Sequence, residues 1–525
     1  MSRPPLSALD ARHFDVVVVG AGVNGASAAH HLAADGYQVL VVDRSDFASG
    51  ASSRSGRLLH CGLRYLEPGE GLGYTRPKIW DPLLKPLETL RNFRRARDAM
   101  HTRNQIASTM PERLNVITEF FPVWEGDQFP AWYVGLGVRL LAKLGPPGGI
   151  PLGARRYGAA ECKTHEFLGA LRDQDKFSAA YSYQEYQFDW PERIVMDTLL
   201  DAQGLGATVR NYAEVVMMTW EEESWTVSLR DNAAKSPDIT VTAKSVINAA
   251  GAWIDKVNDT STTNAAQRVR TTKGAHIVVR LPSPWAKFGI CTYTRERVPF
   301  YIQPWRGMHY IGPTDTAYDS DIENPYATEE EIRHLLDEAN HLLPSLGLRR
   351  NDVLHTYAGL RPMTYAADKP MGTRGHTLHD LEADGMPNVF ALTSGPILSH
   401  RLAGQKLRDA VKRKVAPSGR AGTISYRAKL FPSSPESPAL LNHWPSVSIA
   451  DLRYCAEYEQ PTNLVDLLFR RVGVGWTETM AREGARVAAE AVADILQWDS
   501  SRVDKEVADY LDYTANIHGY RPDSG

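Results

Sequence analysis

The segment Phe14-Asp15-Val16-Val17-Val18-Val19-Gly20-Ala21-Gly22-Val23-Asn24-Gly25-Ala26-Ser27-Ala28-Ala29 constrains this chain more than any other. Four consecutive valines suit a strand covered on both faces, as parallel strands are. Gly20-x-Gly22-x-x-Gly25 then opens a helix of small residues, and a second apolar run, Val39-Leu40-Val41-Val42, ends on Asp43. Each part has a task in holding a dinucleotide. Gly20 makes the tight turn, Gly22 lets the backbone approach a pyrophosphate, and Gly25 lets helix and strand pack closely. The pyrophosphate sits on the helix N-terminus, where free N–H groups and the dipole favour negative charge. Asp43 accepts from ribose hydroxyls. With 40 glycines in the chain, a bare triplet would arise by chance roughly 0.2 times. The strand before it, the helix after it and the acid beyond it separate this segment from a glycine-rich turn of some other α/β unit.

Composition narrows the function classes. At 525 residues the chain is too long for one core and is expected to form two or three domains. Hydrophobic residues at 43% and charged residues at 23% are ordinary for a globular protein. A net charge of −3 supplies no basic field for nucleic acid. No apolar run reaches the roughly 18 residues that span a bilayer, and Met1 to Arg12 lacks the apolar core of a signal peptide. Cys61, Cys162, Cys291 and Cys455 are scattered without a C-x-x-C. That spacing indicates neither a metal site nor a disulfide framework, and reduced thiols in the cytoplasm are expected.

The small, polar run Phe47-Ala48-Ser49-Gly50-Ala51-Ser52-Ser53-Arg54-Ser55-Gly56 reads as a loop and leads into Arg57-Leu58-Leu59-His60-Cys61-Gly62-Leu63-Arg64-Tyr65-Leu66-Glu67. Here the chain resembles the FAD-dependent glycerol-3-phosphate dehydrogenases, of the D-amino-acid-oxidase-like flavoprotein superfamily. They carry a Ser-rich loop and a His-Gly-Gly-Leu-Arg-Tyr-Leu-Glu segment after the same nucleotide unit. Val246-Ile247-Asn248-Ala249-Ala250-Gly251-Ala252-Trp253 resembles the family's second flavin strand, and Lys273-Gly274-Ala275-His276-Ile277-Val278-Val279 its Lys-Gly-x-His segment. Tyr310-Ile311-Gly312-Pro313-Thr314-Asp315 and Gly359-Leu360-Arg361-Pro362 match family motifs as well, so the resemblance covers residues 14 to about 405. It implies FAD, held by Gly20, Gly22, Asn24, Gly25, Asp43, Arg44, Ser52, Ser53, Ala250, Gly251, Gly395 and Ile397.

The implied fold is α/β: an FAD-binding Rossmann-like domain interleaved with a mixed β-sheet substrate domain, plus a C-terminal helical domain. Flavin-binding segments are expected at about 12–75, 185–260 and 350–415, with substrate-side segments at about 76–184 and 261–349. Segment 75–180 reads as short helical stretches with a breaker at Pro146-Pro147-Gly148-Gly149. Patterning predicts a helix over 193–203, strands near 207–210, 215–220 and 224–229, a helix over 329–343, a strand over 389–393 and a helix ending at Lys414. The Pro/Ser-rich run Phe431–Pro438 lies in a linker and helical tail spanning 416–525.

Arg361, by the resemblance, sets a guanidinium over the flavin against the substrate oxygens, and a planar donor fork suits an alkoxide or phosphate. Its alternative is a domain salt bridge. His276 is the candidate general base, since alcohol oxidation removes the hydroxyl proton as hydride leaves carbon for flavin N5; a histidine in an apolar strand can equally be a core residue. Arg64, Tyr65 and Arg374 are implied to reach the substrate, and three converging arginines would make a dianion pocket. Two departures fall around the substrate. Pro396, in Ser394-Gly395-Pro396-Ile397-Leu398-Ser399-His400-Arg401, stands where the family has a lysine, and Cys61 replaces the first glycine of the His-Gly-Gly pair. The expected donor is glycerol 3-phosphate or a related sugar-alcohol phosphate such as erythritol 4-phosphate, oxidised at a secondary alcohol.

The resemblance implies delivery of electrons to membrane quinone. Phe120–Trp124 and the amphipathic run Pro130–Lys143 could lie on the inner face of the membrane or pack in a core. A homodimer is a further expectation. Two other classes stay open: a flavin oxidase using oxygen on another donor, and an FAD-binding protein with a decayed catalytic site.

Overall fold

The structure is a computed structural model that describes residues 3–66 and 85–521. Glu67 and the expected boundary near residue 75 lie outside the described residues.

The valine run forms the strand His13–Val19, central in an eight-stranded sheet. It pairs in parallel with Val39–Val42 on one side and Ile239–Asn248 on the other. Alternate valines serve opposite faces. Val16 and Val18 pack with Ala26, Ala29 and Leu407 under the helices Val23–Ala34 and His400–Lys412, while Val17 and Val19 pack with Val215, Trp225 and Val227 of the hairpin 213–231. Burial on both faces explains an apolar run without alternation. Glu222 and Glu223, both at positive φ, make the turn of this hairpin.

A second sheet of ten strands is mixed. Its long strands Leu114–Trp124 and Phe177–Phe188 pair antiparallel, as do Val269–Val279 and Val353–Thr364. One face carries Phe120, Ala180, Ile277, Ile290, Ile302 and Ile311 and packs on the helix Glu329–Leu342. The opposite face carries Glu119, Tyr183, Glu185, Gln303 and His276, all buried. The fold is therefore an interleaved nucleotide-binding sheet and a mixed second sheet. The C-terminal region holds the helices Ile449–Tyr458, Ala485–Leu496 and Ser500–His518 and adds Phe469 and Trp476, from the turns between the first two, and Tyr510 to a core shared with Trp305, Tyr310 and Tyr357.

Three local expectations change. Segment 75–180 holds the 24-residue helix Pro86–Thr109 rather than short stretches. Its many arginines hide the apolar stripe of Ala96, Ala99, Met100, Ile106 and Ala107, and Pro86 marks its start. The tail holds a short hairpin, Ala439–Leu441 with Trp444–Ser448, too brief to show a period. The aromatic run Phe120–Trp124 is an interior strand, its side chains at most 7% exposed, because it pairs with Phe177–Phe188 in mid-sheet. It presents nothing to a membrane.

Candidate active site

The two sheets meet over a cavity of about 2240 Å³. Drug-sized pockets are about 300–1,000 Å³, so this one has room for an elongated cofactor and a substrate. One end is built by the glycine fingerprint. Gly20 turns the chain at φ +98°, and a Cβ there would lie 2.7 Å from the Ala249 carbonyl oxygen. A Cβ on Gly25 would lie 1.9 Å from the Gly20 oxygen, so turn and helix touch at a distance only glycine permits. Gly22 differs, since its missing Cβ meets only Ser52 Oγ at 3.2 Å. That hydroxyl accepts the Val23 N–H at 3.0 Å. Asn24 Oδ1 is buried without a hydrogen-bond partner among the described residues. The helix start is thus a cradle with an unanswered polar atom, which fits a bound dinucleotide.

Asp43 Oδ2 accepts the Ala21 N–H at 2.7 Å and its Oδ1 accepts the Ser45 N–H at 2.9 Å. Burial pushes this carboxyl up to about 6, with Asp46 adding to the rise and the two donors opposing it. Arg44 hydrogen-bonds Glu323 and lies 4.7 Å over the Trp253 ring at the cavity rim. Ala250, Gly251, Gly395 and Ile397 line the same cavity. Gly25 and Ser53 lie behind its wall: Ser53 Oγ turns back to the Gly50 carbonyl at 3.0 Å and shapes the loop.

His276, Arg361, Arg374, Arg64 and Tyr65 come together at the other end. His276 and Arg361 sit on the paired strands Val269–Val279 and Val353–Thr364. Arg361 crosses flat over Gly274, where any Cβ would strike its guanidinium at 2.0 Å; this is the reason for glycine in the Lys-Gly-x-His segment. Its Nη1 donates to Asp315 Oδ1 at 3.0 Å and its Nη2 to the Thr314 carbonyl at 3.2 Å. Arg374 Nη2 donates to Asp315 Oδ2 at 2.6 Å. His276 stacks on Tyr357 with centroids 4.5 Å apart, and neither ring nitrogen has a partner among the described residues. Burial holds its imidazole well below the usual range, with Arg361 and Arg57 adding to the effect. Arg64 donates to the Thr292 carbonyl at 3.2 Å and lies 4.6 Å over the Tyr301 ring. Tyr65 meets His60 edge-on, with centroids 5.5 Å apart.

Sequence reasoning missed Asp315 as the common anchor, and it missed Glu119, Tyr183 and Glu185 altogether. All line the cavity. No alternation in the sequence marked that face, because Thr118, Ser182 and Gln184 are polar at the intervening places. Pro396 lines the cavity too, and Lys406 of the following helix returns a cation to its wall, next to His376. Among the described residues no group of His, Cys, Asp and Glu is placed to hold a metal ion.

Residues 15–410 match the family model described as FAD dependent oxidoreductase. The glycerol-3-phosphate dehydrogenase of Synechocystis sp. is 29% identical over 427 residues, covering 77% of this chain and 71% of that protein. The D-erythritol 1-phosphate dehydrogenase of Brucella abortus is 30% identical over 393 residues, covering 74% and 71%. In structure, glycerol-3-phosphate dehydrogenase from Bacillus halodurans complexed with FAD matches with TM-score 0.71 at 20% identity, over 97% of this chain and 96% of that one. The fingerprint, the orphaned Asn24 and these matches agree on the cofactor, and the chain belongs to the FAD-dependent oxidoreductase family as a glycerol-3-phosphate dehydrogenase-like enzyme.

Proposed function

We propose that this enzyme oxidises a secondary alcohol of a phosphorylated polyol. The observation that carries this reading is one carboxylate, Asp315, holding two arginines at the cavity that His276 also lines. The two guanidiniums set side by side on Asp315 concentrate positive charge on the cavity wall, which suits a phosphate or a developing alkoxide. His276 is neutral at neutral pH because burial disfavours its charged form. A ring nitrogen with no partner among the described residues is the acceptor for the hydroxyl proton as the carbinol carbon is oxidised. FAD, when bound, supplies the two-electron acceptor for the alcohol's hydride. Relatives named for glycerol 3-phosphate and for erythritol 1-phosphate support the substrate class.

Anaerobic addition of phosphorylated polyols to the purified yellow protein should bleach the flavin. Bleaching by an amine or amino acid and by no polyol phosphate would overturn the reading in favour of an amine-oxidising relative. Hydrogen peroxide formed at the rate of donor oxidation would mark an oxidase instead of a dehydrogenase.

Quinone as acceptor is part of the same proposal. Among the described residues no helix is long and apolar enough to cross a membrane. Helix Ala131–Leu144 nevertheless exposes Trp132 and Leu136 beside Arg139 and Lys143, a face suited to lying on an anionic surface. Flotation with anionic vesicles, lost in a Trp132→Ser/Leu136→Ser double variant, is the expected outcome; a wild-type protein that never floats removes the membrane from the proposal.

A further inference from the structure

Part of the cavity wall is formed by acids on the inner face of the second sheet. Glu119 and Tyr183 are directly opposite each other on the paired strands Leu114–Trp124 and Phe177–Phe188, and Glu185 follows Tyr183 on the same face. All three line the cavity and are buried. Glu119 is fixed from behind, where Gln303 Nε2 donates to its two oxygens at 2.9 and 2.8 Å. Gly289, the neighbour of Glu119 on the next strand, leaves room for that contact. Glu185 Oε1 accepts the Cys61 N–H at 2.8 Å. Its Oε2 has no hydrogen-bond partner among the described residues, although the side chain is 3% exposed. A buried oxygen of this kind is costly unless something in the cavity donates to it.

The charge state decides what can bind. Burial pushes the Glu185 carboxyl up to about 7, opposed by the thiol and N–H of Cys61, and pushes Glu119 well above the carboxylate range despite Gln303. Carboxyls whose charged form is disfavoured by burial can donate as well as accept, as an alcohol does. They do not form a cation site. A phosphate dianion placed against them would meet acceptors and latent negative charge, so it belongs at Arg361 and Arg374. The neighbouring Arg64 is occupied by the Thr292 carbonyl and the Tyr301 ring.

We propose that Glu119, Tyr183 and Glu185 form a hydroxyl-binding subsite for the part of the substrate beyond the reacting carbon, selecting a polyol phosphate longer than glycerol 3-phosphate. This rests on the polyol-phosphate reading above. The longer chain brings additional hydroxyls to donate to Glu185 Oε2 and to pair with Tyr183 and Glu119. A three-carbon donor leaves part of the set unanswered.

The test compares wild type with Glu185→Gln, Glu119→Gln and Tyr183→Phe, using erythritol phosphate and glycerol 3-phosphate in anaerobic flavin bleaching and in steady state. Glu185→Gln keeps the shape and the acceptor for Cys61 N–H, and Tyr183→Phe removes a hydroxyl without altering a buried charge. Bound FAD and its dithionite reduction should be unchanged in each. The wild type should prefer the four-carbon donor, and that preference should fall about 10- to 100-fold in the variants, mainly through KM. Equal losses for both donors, or none, overturn the subsite and leave the functional reading standing, as would an ordered water occupying Glu185 Oε2 with no change in preference. A wild-type flavin bleached by neither donor overturns both.

Discussion

Arg361 and Arg374 hold opposite oxygens of one carboxylate, Asp315, which is only 7% exposed while their own side chains are 26% and 40% exposed. The buried carboxylate fixes both guanidiniums at the cavity wall. The conformational entropy that two long side chains would lose on binding is thus lost in advance. Asp315→Asn keeps one acceptor oxygen and removes the charge, so it should loosen one arginine at least. KM for the polyol phosphate should rise about 10-fold or more while FAD content stays at the wild-type level. Unchanged KM would show that the arginines do not meet the substrate.

Arg361→Lys should lose far more turnover than stability. Lysine keeps a charge over Gly274 but forfeits the planar fork that reaches Asp315, the Thr314 carbonyl and a ligand together. Loss of one such donor costs about 100- to 1,000-fold in the chemical step. Single-turnover bleaching checks the rate and thermal unfolding checks the fold; a near wild-type rate makes Arg361 structural.

Gly22 is the fingerprint position where substitution separates cofactor binding from folding. A side chain at Gly20 or Gly25 would collide with backbone, whereas one at Gly22 meets the Ser52 hydroxyl and enters the cavity. Gly22→Val is expected to give a folded, colourless protein that takes up no FAD on reconstitution. Wild-type absorbance in the flavin band would mean the fingerprint does not face the pyrophosphate.

Glycerol 3-phosphate is expected to be a poorer donor than a longer polyol phosphate. Pro396 stands where the family has a cationic side chain, yet Arg361 and Arg374 remain and Lys406 lines the cavity. An anion clamp kept while its neighbours change points to an altered remainder of the substrate. Steady-state kcat/KM on both donors decides, and a clear preference for glycerol 3-phosphate would make Pro396 silent.

Stability should fall as pH drops below the ordinary histidine range. Burial holds His31 and His309 down to about 4 and His355 and His400 down to about 3. Unfolded histidines near 6.5 bind protons that the folded ones refuse, so the folded state is fully favoured above pH 6.5 and loses ground toward pH 4. Each withdraws up to about 1.4 kcal/mol per pH unit. Asp43, Glu119 and Glu185, whose carboxyls are held up, act in the opposite sense. The contribution is therefore isolated by variant: His309→Gln should flatten the dependence of Tm on pH between 6.5 and 4.5, and an identical slope would refute it.

The sequence by itself determined what is local. Four valines, three glycines and Asp43 fall within one strand-turn-helix-strand unit, where steric limits on φ and on Cβ contacts dictate the residue at each place. The family resemblance brought Arg361 and His276 forward, and both line the cavity. Only the tertiary structure decided the rest. Asp315 joins Arg361 of the strand Val353–Thr364 to Arg374 of the segment beyond it, and Glu119, Tyr183 and Glu185 share a wall because two strands pair in one register. A one-residue slip would turn all three acids and hydroxyls into the apolar core on the other face. The Phe120–Trp124 run shows the same limit from the other side. Its composition suits a membrane surface or an interior equally, and its burial was settled by the strand that pairs with it.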